Sequence, residues 1–194
     1  ADEVINGFGR TGNLFGCDTV NIREPDQMTF AKQLSSAYYP ISAALIRGDM
    51  YEAMVAPSNE VGIFGHGYTY SGHPAGCAAA LKTLEIYERD SLYAHAAEIG
   101  TYLQEKLAQL AAHERVGEVR GAGLIAAVEL VTDSESHAPD IELAKRATLQ
   151  CQHNGLLVRN VAGNTLAMCP PLIITRAQVD EMVDKLGRAI QQVA

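Results

Sequence analysis

The chain of 194 residues is predicted to fold as an α/β protein, because short runs rich in Val, Ile and Leu alternate with long amphipathic segments of helical period. Hydrophobic residues make up 47% of the chain and charged residues 20%, which is typical of a globular protein that buries a core. The last predicted helix carries the clearest signals, since Thr175 and Gln178 can form a capping box and apolar residues follow at helical spacing.

The first half is predicted to contain short strands and glycine-rich loops around two helices. Its elements are a loop over residues 6–27, strands over 28–31 and 41–46, a helix over 49–56, an irregular segment over 57–72 and a helix over 74–90. Pro74 suits the first turn of that last helix. The pause at Asp90-Ser91 is the predicted domain boundary, which separates residues 1–90 from residues 91–194.

The second half is predicted to begin and end with a helix. Its elements are a helix over residues 92–112, an apolar strand region over 116–131, a helix over 139–153, strands over 156–159 and 165–168, and a final helix after Pro170-Pro171. Leucine and isoleucine recur at helical spacing in the first of these helices.

Bulk composition narrows the class of partner. The net charge of −8 disfavours nucleic acid, whose binding needs clustered Lys and Arg, so a small metabolite is the expected partner. No apolar run reaches the roughly 18 residues of a membrane span and no signal peptide pattern is present, so a cytoplasmic protein without a membrane partner is expected. The four cysteines lack CxxC spacing and are expected to be buried, reduced thiols.

The start of the chain resembles the end of a strand rather than the beginning of a protein. Residues 1–5 carry no initiator Met and lead directly into a glycine-rich loop. A fragment of a longer chain is therefore expected.

Residues 7–12, Gly-Phe-Gly-Arg-Thr-Gly, match the GxGxxG pattern of dinucleotide sites. That pattern should open a helix and be followed by a strand that ends in an acidic residue. Residues 13–18 make a poor helix and Pro25 follows soon after, so the NAD-binding interpretation is rejected. A tight bend beside a functional site is the favoured alternative.

Asp2 and Lys32 each stand near the end of a predicted strand. A carboxylate and an amine in that arrangement suit a pyridine cofactor, because the carboxylate keeps the ring nitrogen protonated while the amine binds the aldehyde and later moves a proton. The amine must be partly unprotonated near neutral pH. Taken separately, either residue could be an ordinary surface charge.

Five ordered motifs resemble those of class III pyridoxal-phosphate (PLP) aminotransferases of the ω-amino-acid:pyruvate type. They are Asp2-Glu3-Val4 before the glycine loop, residues 31–38 (AKQLSSAY), residues 67–74 (GYTYSGHP), residues 120–124 (RGAGL) and residues 169–175 (CPPLIIT). The resemblance implies the fold of type I PLP-dependent transferases, with the second half of the large domain in residues 1–90 and the small C-terminal α+β domain in residues 91–194. It also implies a homodimer or tetramer and transfer of an amino group to a keto acid such as pyruvate.

The same resemblance implies how PLP is held. Asp2 would pair with the pyridine nitrogen, Val4 would pack on one ring face, and Lys32 would form the Schiff base. Thr69 would donate to the cofactor phosphate in the partner subunit's site, although a plain hydroxyl in a glycine loop is equally compatible with its surroundings.

Substrate contacts follow from the resemblance as well. Arg159 matches the arginine that binds the substrate carboxylate, a role that suits a bidentate guanidinium; a surface arginine is the alternative. Tyr38 and Tyr68 are candidate walls of the substrate pocket, or else core residues. His66 and His73 have no spacing typical of a metal site, so no metal is expected.

The chain departs from the family pattern in two ways. Gln33 and Ala37 stand where many relatives have glycine, which could alter the backbone beside Lys32. The N-terminal half, which in this family supplies a phosphate cup and an aromatic ring stacked on the cofactor, is absent, so this chain alone is expected to bind PLP weakly or not at all. An aminomutase or decarboxylase of the same fold, or a cofactor-free interaction module, remain alternatives.

Overall fold

The computed structural model describes residues 1–194 and divides into two compact units. Ala1–Phe8 and Asn13–Ser91 form the first unit, and Gly9–Gly12 and Leu92–Ala194 form the second. The expected division after residue 90 kept the glycine loop whole, whereas four of its residues belong to the second unit. They do so because the N–H of Leu124 donates to the carbonyl of Arg10 at 2.9 Å.

The first unit contains a two-stranded sheet and three helices. Its elements are α1 (Gly16–Thr19), β1 (Gln27–Phe30), a 3₁₀ turn (Lys32–Leu34), β2 (Ala43–Ile46), α2 (Gly48–Val61) and α3 (Pro74–Arg89). Strands β1 and β2 are antiparallel, with Phe30 opposite Ala43. Ala1–Glu3 runs parallel to β1 through a bridge between Asp2 and Thr29.

Helix α2 is longer than predicted. It continues through Pro57 to Val61, although proline removes one helical hydrogen bond and crowds the preceding turn. The helix ends where Gly62 adopts a left-handed conformation with φ of 81°, a conformation that glycine reaches without steric cost.

Three phenylalanines form the apolar centre of the first unit near the end of β1. The ring centroids of Phe8, Phe15 and Phe30 lie 5.3–5.8 Å apart, a spacing at which aromatic pairs attract each other. Phe8 and Phe30 are buried. The cluster joins the glycine loop to β1. The single helical turn α1 lies in a segment where no helix was predicted.

The second unit is an antiparallel sheet covered by helices. Its elements are α4 (Leu92–Ala108), a 3₁₀ turn (Gln109–Ala112), β3 (Val116–Ala122), β4 (Ile125–Leu130), α5 (Ile141–His153), β5 (Arg159–Val161), β6 (Thr165–Met168) and α6 (Arg176–Val193). The strand order is β3-β4-β6-β5, which leaves β5 at an edge. Strand β5 begins at Arg159, later than predicted, because only residues 159–161 pair with β6.

Helix α6 has the predicted cap and core face. The hydroxyl of Thr175 accepts from the N–H of Gln178 at 3.3 Å, and the Gln178 side chain accepts from the N–H of Thr175 at 3.0 Å. The apolar residues that recur at helical spacing along this helix are buried. The sequence prediction for this helix is confirmed.

The cysteines divide into two pairs by exposure. Cys17 and Cys151 are buried, whereas Cys77 and Cys169 are exposed, so the expectation of four buried thiols was wrong. Cys77 lies in the first turns of α3, and Cys169 follows the last residue of β6. None of the helices combines the length and the hydropathy of a membrane span.

Candidate active site

Asp2 lies beside β1 with its carboxylate held on one oxygen only. Its Oδ1 accepts from the N–H of Val4 at 3.0 Å and makes a longer contact of 3.4 Å with the hydroxyl of Thr29. The other oxygen, Oδ2, makes no hydrogen bond or ion pair within the chain. Asp2 is exposed and Val4 is half-buried. The carboxylate is therefore oriented and retains a free acceptor.

Lys32 begins a tight series of turns directly after β1. Its backbone has a φ of 43°, a left-handed conformation that costs a lysine about 1–2 kcal/mol. The carbonyl of Lys32 accepts from the N–H of Ser35 at 3.2 Å. The side chain is exposed and its ammonium makes no ion pair within the chain.

Two further side chains hold the turn that carries Lys32. The hydroxyl of Tyr87, from α3, donates to the carbonyl of Gln33 at 3.0 Å, and the hydroxyl of Ser35 donates to the carbonyl of Tyr39 at 2.6 Å. Tyr87 is 4% exposed and Ser35 is 1% exposed. Sequence reasoning missed both, because nothing in the sequence indicates that a tyrosine on α3 reaches a carbonyl 54 residues away.

Asp2 and Lys32 lie at the same end of β1. Thr29, the partner of Asp2 in the parallel bridge, precedes Lys32 by three residues, so at most about 11 Å of chain separates Thr29 from Lys32. Asp2 and Lys32 therefore belong to the same part of the first unit, and the pairing of their side chains around a cofactor stays a prediction.

The predicted pocket tyrosines are on the surface. Tyr38 is 87% exposed and Tyr68 is 82% exposed, so the alternative that they are core residues is wrong. Tyr68 lines a cavity of 670 Å³ together with Tyr39, Tyr70 and His73. Tyr38 does not line it.

Thr69 lies in the turn that precedes α3, and its hydroxyl has no partner within the chain. The turn is closed by the N–H of Ser71, which donates to the carbonyl of Tyr68 at 2.9 Å, and by the left-handed Gly72. The exposed hydroxyl of Thr69 is therefore free to bind a group outside the chain.

Arg159 is the first residue of β5, an edge strand of the second unit. Its backbone pairs with Ala167, and its exposed guanidinium makes no hydrogen bond or ion pair within the chain. The adjacent Asn160 carries a buried Oδ1 without a partner. Arg159 thus has the free charge that binding an external carboxylate requires.

Together, these features define an α/β protein in which an accessible lysine and an oriented carboxylate share one strand end. Residues 1–190 match the family model described as aminotransferase class-III. The chain belongs to the class III aminotransferase family.

Relatives of known structure or name support this assignment. A diaminobutyrate–2-oxoglutarate transaminase of Halomonas elongata is 43% identical over 198 residues, which is 100% of this chain and 42% of the relative. The structure of the omega transaminase from Pseudomonas jessenii in complex with PMP is 45% identical with a TM-score of 0.95, covering 100% of this chain and 43% of that one. A transaminase solved with L-alanine is 48% identical with a TM-score of 0.96, covering 100% and 46%. This chain thus spans less than half the length of these relatives.

Proposed function

We propose that the protein carrying this chain transfers an amino group from an ω-amino acid or amine to a keto acid such as pyruvate, with PLP as its cofactor. The observation that supports the proposal is that Asp2 pairs with Thr29 near the end of β1 and that Lys32 follows the same end of this strand. We propose that residues 1–90 form the cofactor-binding part of a large domain and that residues 91–194 form a small domain.

Asp2 and Lys32 fit PLP at two positions, the pyridine nitrogen and the aldehyde. Asp2 has one oxygen fixed and one free, which suits a hydrogen bond from a protonated pyridine nitrogen. When bound, PLP supplies an electron sink for the carbanion that transamination requires. Val4, whose N–H donates to Asp2, is proposed to pack on one face of the ring.

Lys32 is proposed to hold the cofactor and then to move a proton. Its amine would take the proton from the donor carbon that carries the nitrogen and return it on the other side of that nitrogen, at the aldehyde carbon of the cofactor. That role requires the amine in its neutral form.

Arg159 is proposed to bind the carboxylate of the keto acid. A guanidinium without an internal partner can give two parallel hydrogen bonds to a carboxylate. The relative solved with L-alanine supports pyruvate as acceptor, because L-alanine is the amino form of pyruvate. The name of the Halomonas elongata relative makes 2-oxoglutarate the second acceptor to test.

Thr69 is proposed to donate its free hydroxyl to the cofactor phosphate across a dimer interface, in the partner subunit's site. Tyr38 and Tyr68, both exposed, are proposed as walls of the substrate pocket. These roles place the site residues in an assembly of at least two copies.

The test uses full-length protein reconstituted with PLP. Wild type should show visible absorbance from lysine-bound cofactor, and Lys32→Ala should abolish it and lower the transamination rate by at least about 10²- to 10⁴-fold, the range for a lost general base. Lys82→Ala, on the exposed face of α3 where Lys82 pairs with Glu85, is the matched control and should retain both properties. Absorbance that survives in Lys32→Ala would overturn the assignment.

Half-reactions identify the substrates and the reaction type. β-Alanine, taurine, (S)-1-phenylethylamine and diamines are tested as donors, with pyruvate and 2-oxoglutarate as acceptors. Arg159→Ala should raise the KM for keto acids while leaving simple amine donors unaffected, and Arg23→Ala is its exposed control. Equal loss with donors and acceptors would contradict the role of Arg159, and release of carbon dioxide without a keto acid would indicate a decarboxylase.

A further inference from the structure

Glu3 is a buried acid that the proposed reaction does not use. It follows Asp2 directly and is only 2% exposed. Burying a carboxylate is costly unless hydrogen bonds replace its hydration, and no lysine, arginine or histidine forms an ion pair with it within the chain. Its partners are therefore backbone groups.

Both carboxylate oxygens of Glu3 are bound by backbone donors of α1. Oε2 accepts from the N–H of Gly16 at 2.8 Å, and Oε1 accepts from the N–H of Cys17 at 2.7 Å. Such charge-assisted bonds are short and strong. The nearby carboxylate also contributes, after burial itself, to raising the pKa of the Cys17 thiol.

The backbone of Glu3 is held as firmly as its side chain. Its N–H donates to the carbonyl of Thr29 on β1 at 2.9 Å, and its carbonyl accepts from the N–H of Gly7 at 3.0 Å. Glu3 therefore joins the strand that leads to Lys32, the glycine loop and α1.

Two glycines leave the space that Glu3 occupies. A Cβ on Gly16 would lie 3.2 Å from Oε2 of Glu3 and 2.7 Å from the Cβ of Asn6, and a Cβ on Gly7 would lie 2.9 Å from the carbonyl oxygen of Glu3. Gly7, the first glycine of the segment that resembles a dinucleotide motif, thus leaves room for the backbone of Glu3, and Gly16 of α1 leaves room for its carboxylate.

The peptide groups on either side of Glu3 determine where the Asp2 carboxylate points. The N–H of Glu3 fixes the Asp2–Glu3 peptide against β1, and the N–H of Val4, in the Glu3–Val4 peptide, holds Oδ1 of Asp2. Because peptide groups are planar, rotating the backbone of Glu3 would move the donor that orients Asp2.

We propose that Glu3 is a positioning residue that acts through Asp2: its buried carboxylate, anchored on Gly16 and Cys17, keeps the free oxygen of Asp2 aimed at the pyridine nitrogen. This inference rests on the proposed PLP-dependent function. If Glu3 only stabilised the fold, its replacement would have the same effect on the protein whether or not Asp2 was present.

A double-mutant cycle tests the inference in the full-length protein. Glu3→Gln, Asp2→Asn and the double variant are titrated with PLP in the apo form, and the dissociation constant is read from visible absorbance. Glu3→Gln should weaken PLP binding by about tenfold, the effect of one lost hydrogen bond of ordinary strength, and by less than about twofold in the Asp2→Asn background. Glu24→Gln, an exposed acid in the same unit, should leave the dissociation constant unchanged.

The outcomes separate this inference from the proposed function. If wild type gives no visible absorbance with PLP, the proposed function and this inference both fail. If wild type binds PLP but Glu3→Gln has the same effect with and without Asp2, only the positioning role is overturned. Should Glu3→Gln fail to fold, Gly16→Ala, which crowds Oε2, replaces it in the same cycle and should show the same dependence on Asp2.

Discussion

Replacing Ala37 by glycine should stabilise the protein, because the backbone of Ala37 is left-handed. Its φ is 62°, where a side chain with a Cβ pays about 1–2 kcal/mol that glycine does not. Replacing alanine by glycine also loosens the unfolded chain, which costs about 0.4–1 kcal/mol. Ala37→Gly should therefore raise the free energy of unfolding by about 0.5–1 kcal/mol.

Ala31 provides the matched control on the other side of Lys32. Its backbone is extended, with φ of −159°, so glycine relieves no strain there and only the unfolded-chain cost remains. Ala31→Gly should lower the free energy of unfolding by about 0.5–1 kcal/mol. The same chemical change should thus have opposite signs at two positions six residues apart.

Urea denaturation of wild type and both variants measures these effects, with the m-value compared to confirm that the same surface unfolds. Thermal midpoints should move in the same directions, by about 1–4 °C. If Ala37→Gly is destabilised as much as Ala31→Gly, the left-handed backbone at position 37 carries no strain and the reasoning is refuted.

Two further predictions concern the second unit. Asp140 caps α5. The pKa of its carboxyl is lowered mainly by the hydrogen bond from the N–H of Leu143 and also by Arg115, whereas burial opposes this shift. The ionised carboxylate therefore stabilises the fold above the unfolded pKa of about 3.9, and this stabilisation is lost as pH falls through the lower folded value. Asp140→Asn should therefore reduce the acid-induced loss of unfolding free energy between about pH 4 and pH 2, and an unchanged urea profile across that range would contradict this. Gly100→Ala should destabilise α4 by at least about 1–3 kcal/mol, because the added Cβ would lie 2.5 Å from the backbone of Gly123. Gly187→Ala, whose Cβ would meet only a leucine methyl at 3.1 Å, is the helical control, and equal thermal shifts for the two glycines would contradict the close approach.

Sequence patterns predicted the elements whose signals are local. The capping box of Thr175 and Gln178 placed the start of α6 correctly, and the short strand predicted before Pro170-Pro171 matches β6 at residues 165–168. Helix α2 was predicted too short because Pro57 was taken as its end, whereas Gly62 terminates it. Strand β5 was predicted too early because its extent depends on pairing with β6 and not on its own apolar residues.

Only part of the candidate site could be predicted from the sequence, because some of its contacts join residues that are distant in sequence. Asp2 and Lys32 carry recognisable chemistry next to strand ends, so the sequence predicts a shared site for them. The left-handed backbone of Lys32 and the bonds that hold it involve partners distant in sequence, such as Tyr87. The glycine pattern at residues 7–12 was rejected as a dinucleotide site, but local signals could not show that residues 9–12 belong to the second unit.

The membership of residues 9–12 means that the second unit is not a continuous stretch of polypeptide. Thr11 fills the space that a Cβ on Gly123 would need, and the buried guanidinium of Arg10 donates to the carbonyls of Leu124 and Pro170. A separately expressed segment 92–194 would leave those two carbonyls without this donor and a crevice at Gly123. Four residues that precede nearly all of the first unit in the sequence therefore complete the second.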